Sequence, residues 1–270
     1  MKTISIVAGL ALALALYGFT STTNNDPATP DEDKYKVIKV NGAISYKQSG
    51  KSLSQGDVFS PTQKLIFKTT ESRAAVISRS KGRFILSAKA NTSSSSLLPA
   101  MNNISSRAGA LLNKIDLENH FKGNYLVLDR VELEISEKSF PMDANNFFYM
   151  QYTYNGETIN KKLNNDGNKL IIDKSQLLKV DDKAIERADS PQMKLWYMKG
   201  AEKKSVKINE FTPVFPNLSE LKVEMEIILS ELDGKSEQEK IDESTAYLNE
   251  FYGKPQKESL ETWLKGNFKL

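Results

Sequence analysis

Between residues 35 and 86 the chain reverses direction too often to fit a helix between successive strands. Apolar positions run through Tyr35, Val37 and Val40 to Asn41-Gly42, and residues 43–46 return to Ser49-Gly50. Leu53, Val58, Leu65 and Phe67 continue the spacing, and Lys81-Gly82 separates 73–78 from 83–86. An Asn-Gly pair suits the positive φ that a tight hairpin turn demands. Parallel strands need a crossover of a dozen or more residues, and no such interval exists here. The pattern predicts six or seven short strands in about 55 residues, as a small antiparallel sheet or barrel over 34–89.

The run VIKVNGAISY, then SGKSLSQGDVF, then KLIFKTTESRAAVISRSKGRFIL resembles the β-domain of the FecR-like family. The resemblance spans about residues 35–88 and rests on Val40, Gly42, Leu53, Gly56, Asp57, Ser72, Ala74, Val76 and Gly82. It implies a domain outside the cytoplasm that transmits or scaffolds rather than catalyses. Nothing ahead of Lys2 corresponds to a segment acting on a cytoplasmic sigma factor, so the extracytoplasmic scaffold is expected and the signalling role is not. Gly56-Asp57 reads as a permissive glycine followed by a turn-stabilising aspartate.

Residues 90–122 are expected to hold a serine- and asparagine-rich linker and then a helix over 106–121, with Leu111, Leu112, Ile115 and Leu117 on one side. Beyond Gly123 the period falls to two. Leu126 and Leu128, Val131 to Ile135, the aromatic run 147–154, and 158–163 after Asn155-Gly156 read as strands. So do 170–172 after Asp166-Gly167, 193–199, 205–208, and 221–229, where apolar and charged residues alternate. The fold expected is mainly β: the small antiparallel domain, then an immunoglobulin-like β-sandwich over 123–232, then a helical tail over 233–270. The tail carries a capping box at Ser236 and Glu239 and a stop at Gly253, and a last short helix over 259–264, with Leu260, Trp263 and Leu264 on one stripe, is expected to pack back on the sandwich.

Composition removes most chemistry. There is no cysteine and one histidine among 270 residues, which excludes disulfides, thiolate metal sites and cysteine nucleophiles. His120 and Asp116 stand one helical turn apart, but no nucleophile accompanies them, and a histidine near a helix C-terminus is favoured by the dipole. Lys162 takes the first ligand position of the calcium-loop pattern at 162–173, and its flanks read as strands, so the pattern fails. Glu132 with Glu134 and Glu224 with Glu226 are spaced to share a strand face, as paired hydrolase carboxylates do, and are equally expected of a solvated face. No catalytic residue, cofactor or metal is assigned.

The net charge of +3 conceals a separation. Residues 34–89 hold 12 basic and 2 acidic side chains, whereas 220–261 hold 12 acidic and 5 basic. Such an asymmetry fits an anionic partner or the docking of one segment on the other. Lys64, Lys68, Arg73, Arg79, Lys81 and Arg83 form the basic set assigned to anion or partner binding.

At the N-terminus, Met1-Lys2-Thr3 precedes an apolar run over 4–19 and a small polar stretch, the order of a secretory signal ending near residue 21. Sixteen residues are short for a membrane span, so an anchor is expected only if the signal stays uncleaved. Residues 22–33 read as a polar tether. The expectation is an exported, periplasmic or secreted, non-enzymatic scaffold or interaction protein of the bacterial envelope. Its partners would be envelope proteins, acidic ones included, and not nucleic acid. A carboxylate hydrolase and a carrier of anionic glycan or lipid on the basic module are the alternatives.

Overall fold

The computed structural model describes residues 34–89, 92–99 and 110–270; the expected signal and tether lie outside them. The protein is mainly β with a helical C-terminal region. Its first part contains β1 (Tyr35–Asn41), β2 (Ile44–Tyr46), β3 (Val58–Phe59), β4 (Leu65–Phe67), β5 (Arg73–Ser78), β6 (Gly82–Lys89) and β7 (Thr92–Pro99). These build an antiparallel sheet in the order β3-β1-β5-β6-β7 and a small β2-β4 sheet. One face of the large sheet places Tyr35, Val37, Phe59, Ala74, Val76 and Leu86 with Ile44, Leu53 and Leu65 in one apolar core.

Two expectations for this region are corrected. The Asn41-Gly42 turn does not join a hairpin, because β1 pairs with β3 and β5 while β2 pairs with β4. Gly42, at φ +79°, carries the chain around a corner against Ser72, whose Oγ accepts from the Ala43 amide at 3.2 Å. Lys81-Gly82 does close the β5–β6 hairpin. Part of the expected linker is β7, paired to β6 through backbone ladder bonds that any residue type can supply.

The helix expected over 106–121 is only α1 (Lys114–His120) among the described residues. Asn113 and Asp116 form a capping box that starts it there, and Leu117 is its buried residue, while Leu112 and Ile115 face solvent. The stretch 106–109 lies outside the described residues.

The second part contains β8 (Asn124–Leu126), β9 (Arg130–Glu134), β10 (Phe147–Tyr154), β11 (Glu157–Lys162), β12 (Asn164–Asp166) and β13 (Lys169–Asp173). A short α2 (Lys174–Leu177), β14 (Lys179–Val180), β15 (Lys183–Ala184), β16 (Met193–Lys199) and β17 (Lys204–Val214) follow. A sheet in the order β11-β10-β16-β17-β8-β18, where β18 is Lys254–Pro255, and a sheet β12-β13-β9 enclose one core, giving a sandwich-like pair of layers. Phe148, Met150, Tyr152, Leu195 and Tyr197 point inward from the larger sheet, and Val131, Leu133, Leu170 and Ile172 from the smaller. Asn155 and Gly156 both adopt positive φ in the β10–β11 hairpin, as their sequence predicts.

The C-terminal part contains α3 (Leu218–Glu231), α4 (Glu237–Phe251), β18 (Lys254–Pro255) and α5 (Lys257–Asn267). The strand expected at 221–229, and with it the sandwich boundary at 232, is corrected: α3 occupies that stretch. Asn217 caps it by accepting from the Ser219 and Glu220 amides, and Leu221, Met225 and Ile228 recur at helical spacing on the buried face. The capping box at Ser236 and Glu239 starts α4.

The last helix, α5, lies against β9 of the sandwich as expected, and the tail as a whole also packs against the first sheet. Leu221, Met225, Ile228, Ile241, Tyr247, Leu248, Leu260 and Leu264 share a core with Ile38, Ala75, Ile77 and Ile85 of the first sheet. Burying each large aliphatic side chain of this kind contributes about 1.5–3 kcal/mol, so the seam is a principal source of stability. Further contact with the sandwich comes through β18, which runs parallel to β8, and through Leu126 and Leu128.

Candidate functional site

Alternation along the first sheet decides where the basic residues go. Val37, Ala74, Val76 and Leu86 occupy the inner face, so Lys36, Lys39, Arg73, Ile77 and Arg83 fall on the other, beneath the helices. Arg83 is fully buried: its Nε donates to Glu243 at 2.6 Å, its Nη1 donates to Glu250 at 2.5 Å, and its guanidinium lies 5.8 Å from the Tyr247 ring centre. Arg73 sits 4.8 Å from the Phe251 ring centre. Lys36 reaches Glu231 at 3.4 Å, and the largely exposed Arg79 approaches Glu231 at 3.9 Å. Lys64, Lys68 and Lys81 are on the surface. The basic set assigned to anion or partner binding is therefore divided, and Arg83 is engaged inside the molecule by Glu243 and Glu250.

Glu224 is the centre of a second buried cluster. Lys39 Nζ donates to its Oε1 at 2.6 Å, the Tyr247 hydroxyl donates to Oε2 at 2.8 Å, and the Tyr252 hydroxyl donates to both oxygens at 2.8 and 2.7 Å. Burial, and then the Glu224 charge, push the Tyr247 hydroxyl far above its usual range, so it acts as a donor only. Glu226 is exposed on the same helix, so the Glu224–Glu226 pair does not share a face. Glu132 is bound by Arg130 at 2.8 Å and approached by Lys169 at 3.6 Å.

His120 does not pair with Asp116, whose carboxylate is spent on the amides of Leu112 and Asn113. Its Nε2 lies 2.8 Å from the Tyr125 hydroxyl, and burial, with Lys254 adding to it, pushes the imidazole down to about 4. The ring is a neutral partner at the edge of a cleft of about 680 Å³ between β9 and α5, with Glu132, Glu258, Ser259 and Trp263 also on its walls. Asp57 is a turn anchor, accepting from the Ser54 amide at 3.0 Å and the Tyr46 hydroxyl at 3.2 Å. Among the described residues no three metal-ligating side chains converge.

The surface that sequence reasoning missed is the outer face of β11-β10-β16-β17. Because Phe148, Met150, Leu195 and Tyr197 point into the core, Phe147, Tyr149 and Trp196 point away from it, and none joins a core cluster. The Tyr149 and Trp196 rings lie 6.2 Å apart with planes 7° from parallel. Lys162 Nζ stands 4.4 Å over the Phe147 ring. Gln151 donates to Asn160 at 3.0 Å across the same face, and Lys207 pairs with Glu210 at 2.7 Å. The readable signal was the residue opposite each inward position, once the parity of β16 was known.

No family model, no curated protein and no solved structure matches this chain.

Proposed function

We propose that the chain is exported and works outside the bacterial cytoplasm as a non-enzymatic interaction protein of the cell envelope, presenting the outer face of β10, β11 and β16 to its partner. One observation carries the reading: three aromatic side chains, Phe147, Tyr149 and Trp196, stand on the solvent side of a sheet whose opposite side already supplies a complete core. Large rings outside a core are characteristic of contact surfaces. The apolar run at 4–19 and the FecR-like pattern at 35–88 support an extracytoplasmic location.

The carrier reading on the basic first module has less support, because Arg83 and Lys39 are engaged by Glu243, Glu250 and Glu224. A hydrolase reading through Glu224 also loses ground, since that carboxylate is 1% exposed and held by three donors.

The test is a photo-crosslinking side chain at Thr153, on the outer face, in the full chain in its own cells, with mass spectrometry of adducts and of the mature N-terminus. Adducts with envelope components and an N-terminus near residue 20 are expected. An intact Met1 in the cytoplasmic fraction, or no adduct from Thr153, overturns the reading.

A further inference from the structure

The outer sheet face has a chemistry more specific than general contact. Tyr149 and Trp196 are Cα partners across the β10–β16 ladder, and their rings present near-parallel faces. Trp196 is in turn opposite Lys207, and Tyr149 is opposite Lys162. The row above it pairs Gln151 with Asn160 on one side and with Lys194 on the other. Three lysines and one glutamate, Glu210, thus occupy this face, a balance of +2 around an aromatic centre. Glu210 is bound by Lys207 and stands opposite Lys194, so one carboxylate is shared between two ammonium groups, while Lys162 lies on the other side of the rings. Lys162 is held in position by the Phe147 ring.

A docking protein of ordinary kind would meet an apolar patch with an apolar patch. Here the apolar group of Phe147, Tyr149, Trp196 and Met198 is edged by carboxamides and ammonium groups, so the complementary ligand needs flat apolar faces, hydroxyls and negative charge together. A pyranose offers C–H groups on its faces and hydroxyls around its rim, which suits aromatic faces and carboxamides in turn. A carboxylate on the sugar adds the group that an ammonium pairs with.

We infer that the outer face of β10, β11 and β16 binds an anionic saccharide chain, with Tyr149 and Trp196 against the sugar faces, Gln151 and Asn160 toward hydroxyls, and Lys162 and Lys194 toward carboxylates. This inference rests on the interaction reading of the same face and names its ligand class. The chain lies across the strands, because Lys162, Tyr149, Trp196 and Lys207 form one row from β11 to β17, with Lys194 in the next row beside Gln151.

The experiment titrates the purified full chain with a hexamer of galacturonic acid, a neutral glucose hexamer and inorganic polyphosphate, followed by calorimetry and tryptophan fluorescence. The uronate is expected to bind at least tenfold more tightly than either control. W196A is expected to weaken it tenfold or more, and K162Q severalfold with a shallower salt dependence. Neither position belongs to a core cluster, and K162Q leaves every ring in place, so lost binding in K162Q does not reflect misfolding. No binding of the uronate, equal binding of polyphosphate or of the neutral hexamer, or unchanged binding by W196A overturns the inference. Envelope-protein adducts from Thr153 without uronate binding sink the saccharide and keep the interaction face; absence of both sinks the two together.

Discussion

Arg83 on β6 and Glu243 on α4 lie 160 positions apart in the chain and meet at 2.6 Å in the interior. With Glu250 and the Glu224–Lys39 pair, this contact turns a charge separation along the sequence into an internal seam. The basic segment and the acidic segment are partners of each other.

Removing one side of that seam leaves charge without compensation. R83M is expected to cost about 1–3 kcal/mol, because the partly exposed Glu243 and Glu250 of α4 lose the guanidinium that pairs them. The triple variant R83M/E243Q/E250Q is expected to recover most of the loss. Urea unfolding monitored by circular dichroism measures both, and a triple variant no more stable than R83M would show the pairing to be unimportant.

The cluster at Glu224 is screened from solvent, and its response to salt should differ from that of a surface pair. E224A is expected to lose about 3–5 kcal/mol, and E224Q less, since the amide oxygen still accepts from the tyrosines. The deficit should change little between 0.05 and about 0.5 M salt. A deficit that disappears in high salt contradicts the burial of this carboxylate.

His120 makes stability depend on pH. Its folded pKa of about 4 lies below the ordinary 6.5, so the unfolded chain takes up a proton first as the solution is acidified. The stabilisation is complete above about 6.5 and is lost as pH falls toward 4, amounting to about 3 kcal/mol. H120Q is expected to flatten this part of the profile. Urea midpoints at pH 7.5, 6 and 4.5 provide the comparison, and parallel profiles for the two proteins would refute the assignment.

Gly42 and Gly50 separate two costs. Both have positive φ, +79° and +69°, but a Cβ at Gly42 would stand 2.6 Å from Ser72 Oγ, whereas nothing lies within 4 Å of one at Gly50. G50A bears only the backbone penalty of about 1 kcal/mol, and G42A should exceed it by about 1–2 kcal/mol. Equal melting temperatures would show that the corner at Ser72 yields freely.

Much of the architecture was legible because turn chemistry is local. Asn155-Gly156, Lys81-Gly82 and the Ser236–Glu239 capping box each specify a bond within a few residues, and each holds. The stretch 221–229 was not legible, because Leu221, Met225 and Ile228 satisfy a helical period while the intervening charges also satisfy alternation; burial of Glu224 decides between them. The outer face was hidden for a similar reason. In β16 both rows, Met193-Leu195-Tyr197 and Lys194-Trp196-Met198, contain large apolar residues, so parity could not say which row met the core.

By itself the sequence determined that the chain would be mainly β, hairpin-rich, free of cysteine chemistry and divided into a basic and an acidic segment, since turns, alternation and composition act locally. The tertiary structure alone decided that Lys39 and Arg83 of one segment pair with Glu224, Glu243 and Glu250 of the other and that Trp196 faces outward. Both outcomes depend on which surfaces pack together, and packing joins residues that no local pattern connects.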